Sequence, residues 1–256
     1  YRGRGAVTRR FIRWIYASAE RVIALSEEWR EALSAMEPAS RVVVIPNPVE
    51  IPSWQSALDA GPPTVLFLGM IKERKGVHDL LRAWPGVRRE VPGARLVLGG
   101  VGDVDEARAL ARALGVEASI EMPGWIVGDA KDALMKRAWV FALPSHYEAL
   151  PMSVLEAQAA GVPVVSTRVG GIPAAVDHGR TGILLEPRDV PGLEAALTHL
   201  LSDEGQRKAV GRAARGAAAE RFSADVLVPK VDAIWREIVP GAERPGAVPA
   251  ALVRTD

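Results

Sequence analysis

Short apolar runs rich in β-branched residues alternate with longer amphipathic stretches, and this alternation restricts the fold more than any other feature. It is the pattern of a parallel sheet whose strands are linked by covering helices. The runs expected as strands are Val22–Leu25, Val42–Ile45, Val65–Leu68, Leu96–Leu98, Trp139–Leu143, Val162–Ser166 and Ile183–Leu185. Most are near-continuous rather than alternating, as when both faces of a strand are buried. Asp103–Leu114 has apolar residues at 104, 107, 110, 111 and 114, one face of a helix, and Gly115 is placed to end it. Leu193–Leu201 and Val226–Val239 repeat that spacing, with Ser223 as the expected N-cap of the second. The expected class is α/β.

Composition narrows the functions open to such a chain. Its 256 residues can bury a full core, as one large domain or two small ones. Lys and Arg total 32 against 31 Asp and Glu, a net charge of +1, which argues against nucleic-acid binding through a basic surface. The absence of cysteine excludes disulfides, zinc–thiolate sites and a cysteine nucleophile. Apolar runs such as Val42–Ile45 and Ala138–Leu143 fall far short of a membrane span. Tyr1-Arg2-Gly3-Arg4 is not followed by the apolar core of a signal peptide, so a soluble, cytoplasmic location is expected.

Punctuation divides the chain. Pro46, Pro48, Pro52, Gly61, Pro62 and Pro63 make residues 46–63 a linker, since neither a helix nor a central strand tolerates that density. A compact unit follows at 64–222, then a helical segment at 223–239 and a tail at 240–256 with the composition of disorder. Residues 1–45 hold two helical stretches and two short strands, with Phe11, Ile12, Trp14, Ile15 and Trp29 needing burial. Two strands do not make a stable sheet alone, so this segment is expected to complete another sheet or lean on the main unit.

The segment richest in chemistry runs from Leu143 through Pro-Ser-His-Tyr-Glu-Ala-Leu-Pro-Met-Ser-Val-Leu to Glu156. A strand ends at Leu143 and a helix begins near Pro151, where a proline in first helical position sacrifices no hydrogen bond. The free amides of that first turn form an anion site at the edge where open α/β sheets take ligands. Glu148 and Glu156 flank it, at most roughly 12 Å apart at the helical rise, a span suited to the two ends of a sugar nucleotide. Spacing alone would equally suit two exposed helix-edge charges. A second strand ends at Gly69 and leads into a polar loop bearing Lys72, Arg74 and Lys75 before Gly76, enough cations to neutralise a diphosphate.

Together with RVIALSEEWREAL, VVVIPNPVE, LVLGG-VGD, the continuation AQAAGVPVVSTRVGGIPAAVDHGRTGILLEPRD and FSADVLVPKVDAIWREI, these segments resemble family 4 of the retaining glycosyltransferases. The likeness is collinear over about residues 20–239. It implies the GT-B fold, two facing Rossmann-like domains, with this chain supplying the Rossmann-like donor-binding domain: a parallel sheet with helices on both faces. It further implies transfer of a sugar from a nucleoside-diphosphate sugar to a carbohydrate, lipid-linked or small-molecule acceptor, without metal or other cofactor. Residue by residue, Glu148 would lie near the transferred sugar and its phosphate, and Glu156 would bind the ribose hydroxyls. Lys75 would contact the diphosphate, with Arg74 and the Leu150–Met152 helix start stabilising the leaving group. Gly69 ends the strand at the site, the amides of Ala149 and Leu150 would meet the phosphate or sugar, and backbone near Trp125 and Ile126 would meet the base.

Two departures from the family stand out. Met70 occupies the place that usually holds Arg, leaving Lys72 or Arg74 to supply the charge. Residues 1–45 would be a remnant of the acceptor domain, so a truncated chain, or a non-catalytic half acting with a separate acceptor-domain partner or as an oligomer through 1–45, is expected. A sugar-nucleotide epimerase or a phosphorylase fits these carboxylates less well. His146 is either a sugar-facing or a loop-surface residue, while His78, His178 and His199 read as solvent-facing and fit no metal spacing. The Gly100–Asp103 and Val169–Pro173 turns are expected to line the cleft with backbone. The seven tryptophans read mostly as core or interface filler. Arg207, Lys208, Arg212, Arg215 and Arg221 read as a solvated helix face that could also touch an anionic membrane surface.

Overall fold

A computed structural model describes residues 5–239. Its main unit is a six-stranded parallel sheet built from β3 (Thr64–Leu68), β4 (Arg95–Gly99), β5 (Ile120–Gly124), β6 (Val140–Leu143), β7 (Val164–Thr167) and β8 (Gly182–Leu185). Spatial order is β5-β4-β3-β6-β7-β8, so the chain winds outward from β3 one way and from β6 the other. The central strands β3, β6 and β7 are buried along their whole lengths, which is why their sequences read as near-continuous apolar runs.

Helices α3 (Val77–Glu90), α4 (Val104–Ala113), α5 (Gly128–Arg137), α6 (Met152–Ala159), α7 (Ile172–Ala175), α8 (Val190–Ser202) and α9 (Glu204–Phe222) link and cover these strands. Trp84 of α3 sits at the centre of the core, its indole N–H donating to Ser119 Oγ at 2.9 Å. That bond satisfies the one polar atom such a ring takes into the interior.

Strand β5 is absent from the sequence-based expectation. Its residues alternate between half-buried and exposed, and Pro123 lacks an N–H for the ladder; an edge position accommodates both. The helix of the Glu148–Glu156 segment starts at Met152, one residue later than expected, so Pro151 (φ −72°, ψ 127°) is its N-cap rather than its first helical residue. Ser223 does precede α10 (Ala224–Ile238), but its side chain makes no capping bond.

The basic run on α9 is the largest revision. Arg207 is 2% exposed, and its guanidinium donates to the carbonyls of Leu58 (2.7 Å), Leu200 (2.8 Å) and Leu201 (3.1 Å). It also stacks 4.1 Å from the Trp139 ring centroid. Arg215 donates to the carbonyls of Pro52, Trp54 and Ala159, Lys208 pairs with Asp59 and Glu204, and Arg221 binds Asp177 and the Ala174 carbonyl. Arg212 alone of the five is exposed. Residues 46–63 form no helix or strand, and the α9 cations strap this segment down by its carbonyls. The sequence does not show that a stretch of backbone runs over this helix face.

Before the main unit come α1 (Ala6–Ser18), β1 (Val22–Ala24), α2 (Glu27–Met36) and β2 (Val42–Val44), the strands pairing in parallel as a separate two-stranded sheet. Contrary to the expected burial, Phe11, Trp14 and Ile15 are exposed, Trp14 at 63%. Trp125 and Trp235 are exposed as well, whereas Trp84 is fully buried and Trp54 and Trp139 pack partly buried against the core. Within the described residues no helix is long and apolar enough to cross a membrane. The expected disordered tail, 240–256, lies outside the described residues.

Candidate functional site

The strand order reverses between β3 and β6, which opens a crevice beyond their C-terminal ends, the place where open α/β sheets bind ligands. Two loops line it: residues 69–76 after β3 and residues 144–151 after β6. They are cross-linked throughout. The His146 amide donates to the Arg74 carbonyl at 2.8 Å, and Arg74 Nη1 donates to the Tyr147 carbonyl at 3.1 Å. His146 Nε2 lies 2.6 Å from Asp79 Oδ2, and Lys75 Nζ donates to Glu148 Oε1 at 2.5 Å.

Close backbone approach makes the join possible. Gly76 has φ +74°, and a Cβ there would lie 1.9 Å from the Pro144 carbonyl oxygen. Gly170 has φ +52°, and its Cβ would lie 1.8 Å from the Glu148 carbonyl oxygen. The Val169–Pro173 turn therefore backs the Glu148 loop, and the Gly171 amide donates to the Ala149 carbonyl. Gly76→Ala should destabilise the protein by about 2 kcal/mol or more, from left-handed strain plus the clash. Thermal unfolding compared with an exposed Gly216→Ala control tests this.

Between the loops lies a cavity of about 310 Å³, floored by Gly69, Gly99 and Gly100 and walled by Lys75, Trp125, Ile126, Val127, Lys131, Met152 and Glu156. Six residues singled out from sequence meet here: Gly69, Lys75, Trp125, Ile126, Met152 and Glu156. Glu148 stands one layer behind. It is 6% exposed, and its Oε1 accepts from both Lys75 and Ser145 Oγ (2.8 Å). Buried carboxylates persist when paired and hydrogen-bonded in this way. Leu150 is buried with its carbonyl accepting from Asn47 Nδ2 at 3.1 Å, and within the described residues the Ala149 and Leu150 amides make no hydrogen bond.

Some expected contributors lie elsewhere. Arg74 is exposed and bound to the Tyr147 carbonyl, and neither it, Lys72 nor Met70 borders the cavity. His78 is largely covered, 3.5 Å from Glu106, so it does not simply face solvent, whereas His178 is exposed as expected, its Nδ1 accepting from the Leu184 amide. His199 is exposed. His146, bound to Asp79, is a loop brace. Within the described residues no cluster of three His, Asp or Glu side chains could hold a metal.

Sequence reasoning missed Lys131, whose Nζ donates to Glu156 Oε1 at 2.8 Å from the first turn of α5. It also missed Asn47 and Thr167, whose Oγ1 donates to the Ser145 carbonyl at 2.5 Å. An Asn between two prolines was the one available signal; nothing near Lys131 in sequence marks it.

Residues 49–217 match the family model described as "Glycosyl transferases group 1". The chain is 33% identical over 212 residues to a glycogen synthase of Mycobacterium tuberculosis, covering 79% of this chain and 50% of that protein. It is 36% identical over 177 residues to a GDP-mannose-dependent alpha-(1-6)-phosphatidylinositol monomannoside mannosyltransferase of the same organism, covering 66% and 46%. The chain thus spans about half the length of these relatives. In fold it resembles sucrose-phosphate synthase from Thermosynechococcus elongatus, with TM-score 0.80, 24% identity and coverage of 93% and 63%. It likewise resembles Anabaena Alr3699/HepE, solved in complex with UDP-glucose, with TM-score 0.81, 22% identity and coverage of 90% and 68%.

Proposed function

The chain belongs to the group 1 glycosyl transferases, and from that membership we propose that it holds the nucleoside-diphosphate-sugar site of an enzyme that transfers the sugar with retained configuration. The observation that carries this reading is the crevice itself. One cavity at the strand-order reversal gathers two ammonium groups, a glycine floor, an aromatic ring, a helix N-terminus and the Glu156 carboxylate.

Each part has a role in that reading. Lys75 and the first amides of α6 would stabilise the negative charge that develops on the departing diphosphate. Glu156 would accept hydrogen bonds from the ribose hydroxyls, and backbone beside the exposed Trp125 would meet the base. Glu148 would act through Lys75, fixing the ammonium from behind while the bound sugar reaches the same loop. The cations and helix dipole would do this without metal, and the acceptor would be a carbohydrate, a lipid-linked sugar or a small molecule.

Calorimetric titration of the full chain with UDP, GDP and ADP tests the site. At least one should bind, and Glu156→Ala should weaken it about 10-fold, the worth of a charge-assisted hydrogen bond. No heat with any of the three at millimolar concentration, with Glu156→Ala changing nothing, would sink the reading.

The exposed Phe11, Trp14 and Ile15 on α1 favour a second reading, in which the chain is a nucleotide-sugar-binding half that works with a separate acceptor-domain partner or as an oligomer. Size-exclusion chromatography tests it: a clean monomer that leaves a hydrophobic dye dark argues against any missing partner.

A further inference from the structure

Two ammonium groups border the cavity, and each is matched to one carboxylate: Lys75 to Glu148 at 2.5 Å, and Lys131 to Glu156 at 2.8 Å. The first pair joins a half-buried lysine to a buried carboxylate, whereas the second is about one-third exposed on both sides, at 31% and 27%. An ion pair that open contributes little to stability, so its placement calls for another account. Lys131 and Glu156 both also border a neighbouring cavity of about 320 Å³ that contains Glu50 and Asp132, and of these three carboxylates Lys131 pairs with Glu156.

Charge explains the choice. A bare Glu156 would set a full negative charge on the wall of a cavity that receives a diphosphate, and unlike charges are needed there. An ammonium at 2.8 Å cancels that field while keeping the carboxylate ionised and able to accept. A carboxylate offers about four lone-pair sites, so one bond from Lys131 leaves room for two vicinal hydroxyls.

We infer that Lys131 is a positioning residue for the nucleotide: through its ion pair with Glu156 it lets one carboxylate hold the ribose without repelling the diphosphate. This rests on the function proposed above. Its signature is electrostatic, so it should fall on nucleoside diphosphates and spare the uncharged nucleosides.

The test is titration of the full chain with UDP, GDP and ADP and, for the tightest of these, with its nucleoside. Lys131→Met should weaken the diphosphate about 10-fold and the nucleoside less than about 3-fold, with Lys131→Arg restoring the diphosphate to within about 3-fold of wild type. In the Glu156→Gln background, which removes the charge to be cancelled, Lys131→Met should cost less than about 3-fold. Equal losses for nucleoside and diphosphate, no loss in Lys131→Met, or an undiminished loss in the Gln background would each overturn the inference. Absence of binding by the wild-type chain would overturn the proposed function instead.

Discussion

Arg207→Ala should lower the free energy of unfolding by about 3–5 kcal/mol, one of the largest single-residue effects available in this chain. The side chain is almost wholly enclosed and serves three backbone carbonyls from two different segments, Leu58 on one side and Leu200 and Leu201 on the other. Truncation removes those charge-assisted donors and leaves three buried acceptors without partners, which costs more than the bonds themselves contribute. It also removes the cation over Trp139. The Leu58 carbonyl carries a further strain, because Leu58 is held at φ 59°, a conformation that a branched side chain avoids. Burial holds the Arg207 guanidinium below its ordinary pKa, opposed by the nearby Glu204, Asp59 and Asp203, yet it stays charged at neutral pH. The loss should therefore be similar between pH 6 and 8. For a chain of this size the melting temperature should fall by about 10 °C, with Arg207→Lys recovering less than half because an ammonium lacks the planar fork. A fall of under about 1 kcal/mol in urea unfolding would show that the strap is not needed.

That strap marks the boundary of what the sequence makes legible. A strand buried on both faces, such as Val65–Leu68, declares itself through an unbroken apolar run, and the strand–loop–helix joints at Gly69 and Leu143 follow from it. These joints were enough to bring Lys75 and Glu156 to one crevice, because strand ends in a parallel sheet share an edge. Edge strand β5 has no such signature, since its alternation and Pro123 resemble a loop. Arg207 and Arg215 look like surface charges because their partners are backbone carbonyls, and a carbonyl has no letter in the sequence. Lys131 is hidden for a related reason. It is 25 residues from Glu156, and the two side chains meet only once the chain has folded.

The pair behind the cavity provides the prediction that separates folding from function. Lys75→Met leaves the Glu148 carboxylate buried with Ser145 Oγ as its remaining partner, and an unpaired buried charge is costly. Stability should fall by about 2–3 kcal/mol, and nucleoside-diphosphate affinity should fall by about 100-fold or more as the cavity loses the cation proposed to face the diphosphate. Glu148→Gln alone should weaken binding less, since Lys75 remains. The double variant Lys75→Met, Glu148→Gln removes both charges together. It should recover most of the lost stability, because an amide can keep the Ser145 bond and no longer needs a counter-ion. Binding should not return with it, because the ammonium is still missing. Measured together by urea unfolding and calorimetry, these three variants distinguish a lysine that serves the ligand from one that merely balances a buried acid. If affinity recovers in step with stability, Lys75 is there for Glu148 alone, and the diphosphate must be held by α6 and the backbone of the two loops.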